Sequence, residues 1–201
     1  IVIVWDTLKP NVIAQDINVY LDANGQVSIS ASDIDNGSTD NCSIQSMTLD
    51  NSSFDCSTVG VNSVILSITD VNGNIDTASA TVTVIDSISP IVSTQNITIY
   101  LDANGISNIT TTDIDNGSTD NCAIQSQSLD MTTFNCNDLG ANTVTLSVTD
   151  VNGNTNSLTA IVTVVDSIVP EITCPADFSS CGPEITVVDP VISDNCDITL
   201  Q

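Results

Sequence analysis

Between residues 61 and 86 the run "VNSVILSITDVNGNIDTASATVTVID" alternates apolar and polar positions, breaks at Asp70–Asn74, and alternates again. Val64, Leu66 and Ile68 share one face of the first half, and Ala80, Val82 and Val84 share one face of the second, the period-two signature of half-buried strands. The pattern predicts a β-hairpin that turns at Asp70–Asn74. A shorter run, "NVYLDANGQVSIS", predicts a second hairpin closed at Asp22–Gly25, because Asn-Gly supplies the positive φ angles of a tight turn. "SIQSMTL" reads as a strand between the two, and no stretch carries helical periodicity.

The same pattern recurs without a gap 80 positions later. About 46 of the 80 positions in 11–90 are repeated in 91–170, and "DIDNGSTDNC" at 33–42 returns letter for letter at 113–122. A long fixed period predicts a tandem array whose units each bury their own core. Residues 1–10 match 81–90 and read as the last strand and linker of a preceding repeat. Residues 11–90 and 91–170 read as two whole repeats, and 171–201 as the truncated start of a divergent one. On this reading the apolar residues Ile1, Val2, Val4 and Trp5 fray, or are borrowed as an edge strand by a neighbour. Six or seven short strands in about 80 residues predict an all-β fold of tandem immunoglobulin-like β-sandwich repeats.

Charge narrows the function. The chain has 25 Asp plus Glu against a single Lys or Arg, no His, and a net charge of −24. With no cationic surface to displace counterions, nucleic acid is excluded as a partner, and so are anionic membrane surfaces. Without His or Arg the usual general bases and oxyanion donors are missing, which argues against an enzyme. No apolar run is long enough to span a bilayer, so no direct membrane insertion is expected in this segment. Hydrophobic residues still make up 41% of the chain, enough to fold it. Such an acidic compact state calls for divalent cations, and calcium takes six to eight oxygen ligands of the kind this chain abounds in.

Seven cysteines point to disulfides and an oxidising, extracellular compartment. Cys42 and Cys56 recur as Cys122 and Cys136, which suggests Cys42–Cys56 and Cys122–Cys136, each closing a loop worth about 3 kcal/mol on chain-entropy grounds. Cys174 and Cys181 form the local pair in "CPADFSSC", leaving Cys196 without a partner. A cysteine metal site is the rival, but the chain has no His and no CxxC.

The acidic loops fit no EF-hand: counted from Asp33 the glycine falls at position 5, and from Asp70 at position 4, where that loop needs it at position 6. Strand direction nevertheless brings both loops of a repeat to one end, beside the arriving linker. In the first repeat this gathers Asp33, Asp35, Asp40, Asn41 and Asp70 near Asp6. In the second it gathers Asp113, Asp115, Asp120, Asn121 and Asp150 near Asp86. Two readings stay open: a calcium cradle, within one repeat or bridging two, or Asx turns in which each aspartate serves its own backbone.

The pattern "VTVxDxxxPxI…DNC…TDxxGN", with "ITCPAD" and "PVISDNC", resembles the HYR-type immunoglobulin-like repeats of secreted bacterial proteins. "LDANGQVSI" and "DIDNGSTDNC" are similar to phrases in giant repetitive cell-surface adhesins of Bacteroidetes, the gliding-motility adhesin among them. The resemblance implies a bacterial cell-surface, extracellular stalk serving surface attachment or gliding motility. Its partners would be neighbouring repeats of the chain and an extracellular surface or polysaccharide. The alternatives are a glycan- or receptor-binding module, or the accessory stalk of a secreted enzyme. Aromatics at 3% of residues weigh against a sugar platform.

Overall fold

The computed structural model describes residues 5–173 and 191–196. The architecture is all-β and repeats. In the first repeat β1 (Ile17–Tyr20), β2 (Gln26–Ser28), β3 (Ile44–Leu49), β4 (Ser53–Asp55), β5 (Gly60–Asp70) and β6 (Ile75–Ile85) form a four-stranded sheet, β1-β6-β5-β3, and a two-stranded one, β2-β4. The second repeat follows the same plan with β7 (Ile97–Tyr100), β8 (Ile106–Asn108), β9 (Ile124–Leu129), β10 (Thr133–Asn135), β11 (Gly140–Asp150) and β12 (Thr155–Val165). A short antiparallel pair follows, β13 (Glu171–Thr173) with β14 (Val191–Ser193). Ile1, Val2 and Val4, expected to fray or be borrowed, lie outside the described residues; Trp5 is exposed.

The β5–β6 hairpin forms as the alternation predicts. Asp70 N donates to Asn74 O at 3.0 Å, and Val64, Leu66, Ile68, Val82 and Val84 are buried. The other predicted hairpin does not form. The Asp22–Gly25 turn closes, with Gly25 N on Asp22 O at 2.9 Å, but β1 pairs in parallel with β6 while β2 pairs with β4. The turn is a corner at which the chain changes sheets. This places Leu21 and Ile29 in the core beside Phe54 of β4, closing the sandwich over β5 and β6.

The repeated loop also holds one helical turn, α1 (Ala31–Ile34), repeated as α2 (Thr111–Ile114). A single turn is too short for a hydrophobic period to show. Ile34 and Ile114 are fully buried and pin each loop to its core. In the first repeat the rest of the loop is held to the entering segment by Asn11 N on Thr39 O at 2.8 Å.

By compactness the chain divides into two units. The first comprises Ile1–Pro90 with Thr119–Gln125 and Thr149–Asn154, and the second comprises Ile91–Ser118, Ser126–Val148 and Thr155–Gln201. The last part of the second acidic loop and the β11–β12 turn therefore belong to the first unit. Among the described residues no helix is long and apolar enough to cross a membrane.

Candidate metal centre

Two carboxylate triads form in the first unit, 80 residues apart in register: Asp6, Asp40 and Asp70, and Asp86, Asp120 and Asp150. Each triad brings one oxygen per residue within 4.8 Å of the others. Chain geometry explains why. Asp150 ends β11 and is fully buried, because it organises the turn that follows. Its Oδ1 accepts from the amides of Asn152 and Asn154 at 2.9 and 2.8 Å, and its Oδ2 accepts from Asn154 Nδ2 at 2.7 Å. Asn154 Nδ2 also donates to the backbone oxygen of Asp86 at 3.3 Å, fixing that segment beside the turn. Asp120 enters from the acidic loop, its Oδ2 held by the amides of Cys122 and Ala123 at 2.9 and 3.2 Å.

Asp86 is only 7% exposed. Its Oδ1 accepts from Ile88 N and Asn121 Nδ2 at 3.1 and 3.2 Å, while its Oδ2 is buried with no hydrogen-bond partner. Asp120 Oδ1, Asn121 Oδ1 and Asn152 Oδ1 are buried and equally without partners. A buried acceptor left unsatisfied costs free energy, so several in one neighbourhood call for an electropositive occupant. The protein supplies none: Lys9 is the only Lys or Arg of the chain, and it stands 4.0 Å from Asp76.

The Asp6 triad repeats the design. Asp70 is fully buried and takes the same three bonds, from the amides of Asn72 and Asn74 and from Asn74 Nδ2. Burial pushes its carboxyl up, but the bonds from Asn74, Asn72 and Gly73 outweigh that and hold it below the usual carboxylate range. Asp6 is held low chiefly by the Cys42 thiol and the Leu8 amide. Asp6 Oδ2 and Asp40 Oδ1 are buried and without partners. Asn41 Nδ2 lies 3.4 Å from Cys42 Sγ, as Asn121 Nδ2 lies 3.7 Å from Cys122 Sγ; Asn121 Nδ2 further donates to Asp22 O at 3.4 Å.

The remaining predicted ligands stand apart from the triads. Asp33 Oδ2 accepts from Ser30 N and Oγ, both at 2.7 Å, and Asp113 does the same for Thr110 at 2.7 and 2.8 Å. Asp35 and Asp115 accept from the amides of Ser38 and Ser118, both at 3.0 Å. The first half of "DIDNGSTDNC" thus orders its own backbone, and the second half contributes to the triad. The Asn152 side chain escaped sequence reasoning, because an asparagine in a turn is expected there in any case.

The disulfides correct the sequence expectation. Cys56 bonds Cys122 and Cys136 bonds Cys196, with Cα–Cα distances of 5.3 and 5.5 Å, and Cys42 is a free, exposed thiol. Cys42–Cys56 and Cys122–Cys136 do not form, because strands β3 and β9 run between the members of each pair. Six residues of strand span about 20 Å, whereas a disulfide needs Cα atoms within about 7 Å. The expected Cys174–Cys181 pair lies outside the described residues. Cys56 sits beside the sheet-switching turn, and Asn121 Nδ2 reaches from Asp86 Oδ1 to Asp22 O at 3.4 Å, so bridge and triad meet at Asn121 and Cys122.

No known family matches the chain, and no curated protein matches it in sequence. Among solved structures it is similar to cadherin repeats at low identity. The protocadherin gamma B7 structure of extracellular cadherin domains 1–4 has 15% identity and a TM-score of 0.34, and the match covers 92% of this chain and 60% of that one. Drosophila N-cadherin has 12% identity and a TM-score of 0.42, covering 79% and 50%. Human mucin-like protocadherin has 13% identity and a TM-score of 0.35, covering 79% and 98%. The chain therefore spans about half to three-fifths of the first two.

Proposed function

We propose that this chain is a segment of an exported stalk whose repeats are locked by disulfides and by calcium. The observation that supports it most is the buried, unpartnered Asp86 Oδ2 within a triad that recurs one repeat earlier. Calcium suits the donor set: three carboxylates, the free oxygens of Asn121 and Asn152, and room in its coordination shell for water or backbone carbonyls. Bound there, it would neutralise mutual repulsion among Asp86, Asp120 and Asp150 and fasten three chain segments of the first unit. Disulfides of this kind persist in oxidising surroundings, which supports an extracellular location. The stalk reading, with attachment to a surface as its role, rests on tandem repetition, high negative charge and the adhesin-like phrases of the sequence.

The test is a thermal melt in EDTA, then with calcium added stepwise and magnesium as control. Calcium at about 100 times its dissociation constant stabilises a native site by about 2.7 kcal/mol, which raises the melting temperature by roughly 11–22 °C for units of this size. Asp120→Asn and Asp40→Asn each remove part of that gain, whereas Asp33→Asn leaves it intact. A calcium-independent melt, or equal sensitivity to Asp33→Asn, rejects the site.

A further inference from the structure

The pairs Asn121–Cys122 and Asn195–Cys196 do the same thing. Each receives an Asp-Ala-Asn-Gly turn together with the cysteine that follows β4 or β10. In the first case Cys56 bonds Cys122, its Sγ lies 3.5 Å from Asn121 O, and Asn121 Nδ2 donates to Asp22 O at 3.4 Å. In the second, Cys136 bonds Cys196, its Sγ lies 3.4 Å from Asn195 O, and Asn195 Nδ2 donates to Asp102 O at 3.1 Å. The fit is close enough to require glycine. A Cβ on Gly25 would come 2.7 Å from Asn121 O, and one on Gly105 would come 2.7 Å from Asn195 O.

Asn41–Cys42 is the third copy of this receptor, and among the described residues no turn or cysteine docks on it. Its surroundings match those of Asn121–Cys122 position for position but are more exposed. Leu8 is 63% exposed where Ile88 is half-buried, Asp6 is half-buried where Asp86 is buried, and Asn41, Cys42 and Asn72 are exposed where Asn121, Cys122 and Asn152 are half-buried. Trp5 and Leu8 leave apolar surface around the thiol, in a concave site they share with Asn41, Cys42 and Asn72. The two filled copies identify the occupant.

We propose that Asn41–Cys42 is a docking site for another repeat of this kind, which inserts its Asp-Ala-Asn-Gly turn and bonds its turn cysteine to Cys42. Asn41 Nδ2 donates to the first carbonyl of the incoming turn while staying beside Cys42 Sγ, as Asn121 Nδ2 does with Asp22 O and Cys122 Sγ. The bond forms by exchange with a small disulfide such as oxidised glutathione. One thiolate attacks it and releases a glutathione thiolate, then the second cysteine attacks the mixed disulfide and releases another. Two thiols thus lose two protons and two electrons, and one oxidised glutathione becomes two reduced ones. The site works with or without the calcium proposed above.

The test mixes the full chain, as acceptor, with a donor chain carrying Cys42→Ser, Asn195→Ala and Cys196→Ser, which frees Cys136 and its turn. Both are held in a glutathione redox buffer containing EDTA, and again in calcium. The expected product is a disulfide-linked dimer whose bridge maps to Cys42–Cys136 by peptide mass spectrometry. Asn41→Leu in the acceptor should slow its formation severalfold without changing the rate of glutathione addition to Cys42. A second arrangement needs one substitution. Cys122→Ser frees Cys56 in a chain that keeps Cys42, and it should give head-to-tail oligomers that Cys42→Ser abolishes. A Cys42 bridge to the turn cysteine in either arrangement upholds the proposal. Only glutathione adducts, or Cys42–Cys42 dimers, in both arrangements would overturn it, leaving Cys42 an ordinary exposed thiol.

Discussion

Gly25 and Gly37 both turn with positive φ, at 71° and 86°, yet they answer to different neighbours. A side chain at Gly37 enters open space, whereas one at Gly25 meets Cys56 Sγ at 2.5 Å. Gly37→Ala should therefore cost about 1 kcal/mol, the backbone penalty alone. Gly25→Ala should cost about 2–4 kcal/mol, since overpacking adds to it; urea denaturation of the two variants measures the difference. Asp33 supplies a pH signature. Hydrogen bonds from the Ser30 hydroxyl and amide hold its carboxyl below the ordinary 3.8, so the folded state binds its proton less readily than the unfolded one. The stability it contributes is complete above that ordinary value and drains away as pH falls through the lower folded value. Acid titration of Asp33→Ala should show a shallower loss below pH 3.8 than the parent chain. In sequence, an aspartate that serves its own backbone looks like one that serves an ion. Both sit among Asn, Gly and Ser, which is why Asp33 and Asp35 could not be told from Asp40.

Strands β5 and β6 were legible because eleven residues each gave alternation room to show, and Val64 to Val84 fill the core as the pattern demands. Strands β1 and β2 were misread as partners because a tight turn announces a reversal of direction, not which sheet receives each strand. What decides the matter is Leu21 and Ile29, which the corner carries into the core on either side of the turn. The two-stranded sheet depends on one large anchor, Phe54 at 3% exposure on a strand of three residues. Phe54→Ala should cost about 3–5 kcal/mol and release β2 and β4 first. Hydrogen exchange on that variant should then show early loss of protection at Val27 and at position 54 with β5 and β6 still protected.

For the molecule as a whole, repetition could be read at once, since the 80-residue period survives in 46 positions. The disulfide framework could not, because spacing along the chain says nothing about the strand that separates two cysteines. Each bridge instead spans a long stretch of chain, 66 positions for Cys56–Cys122 and 60 for Cys136–Cys196. For the exported stalk proposed above the consequence is mechanical. A chain pulled from its ends carries tension through the shortest covalent path, which enters at Cys56 and leaves at Cys122, then enters at Cys136 and leaves at Cys196. Strands β5 and β6 and most of the second repeat's entering segment are excused from the load, as are β11 and β12. Force spectroscopy of the oxidised chain should find that these segments never lengthen. Reduction of both bridges should release about 400 Å of hidden contour, so the redox state of two cystines would set how far such a tether can stretch.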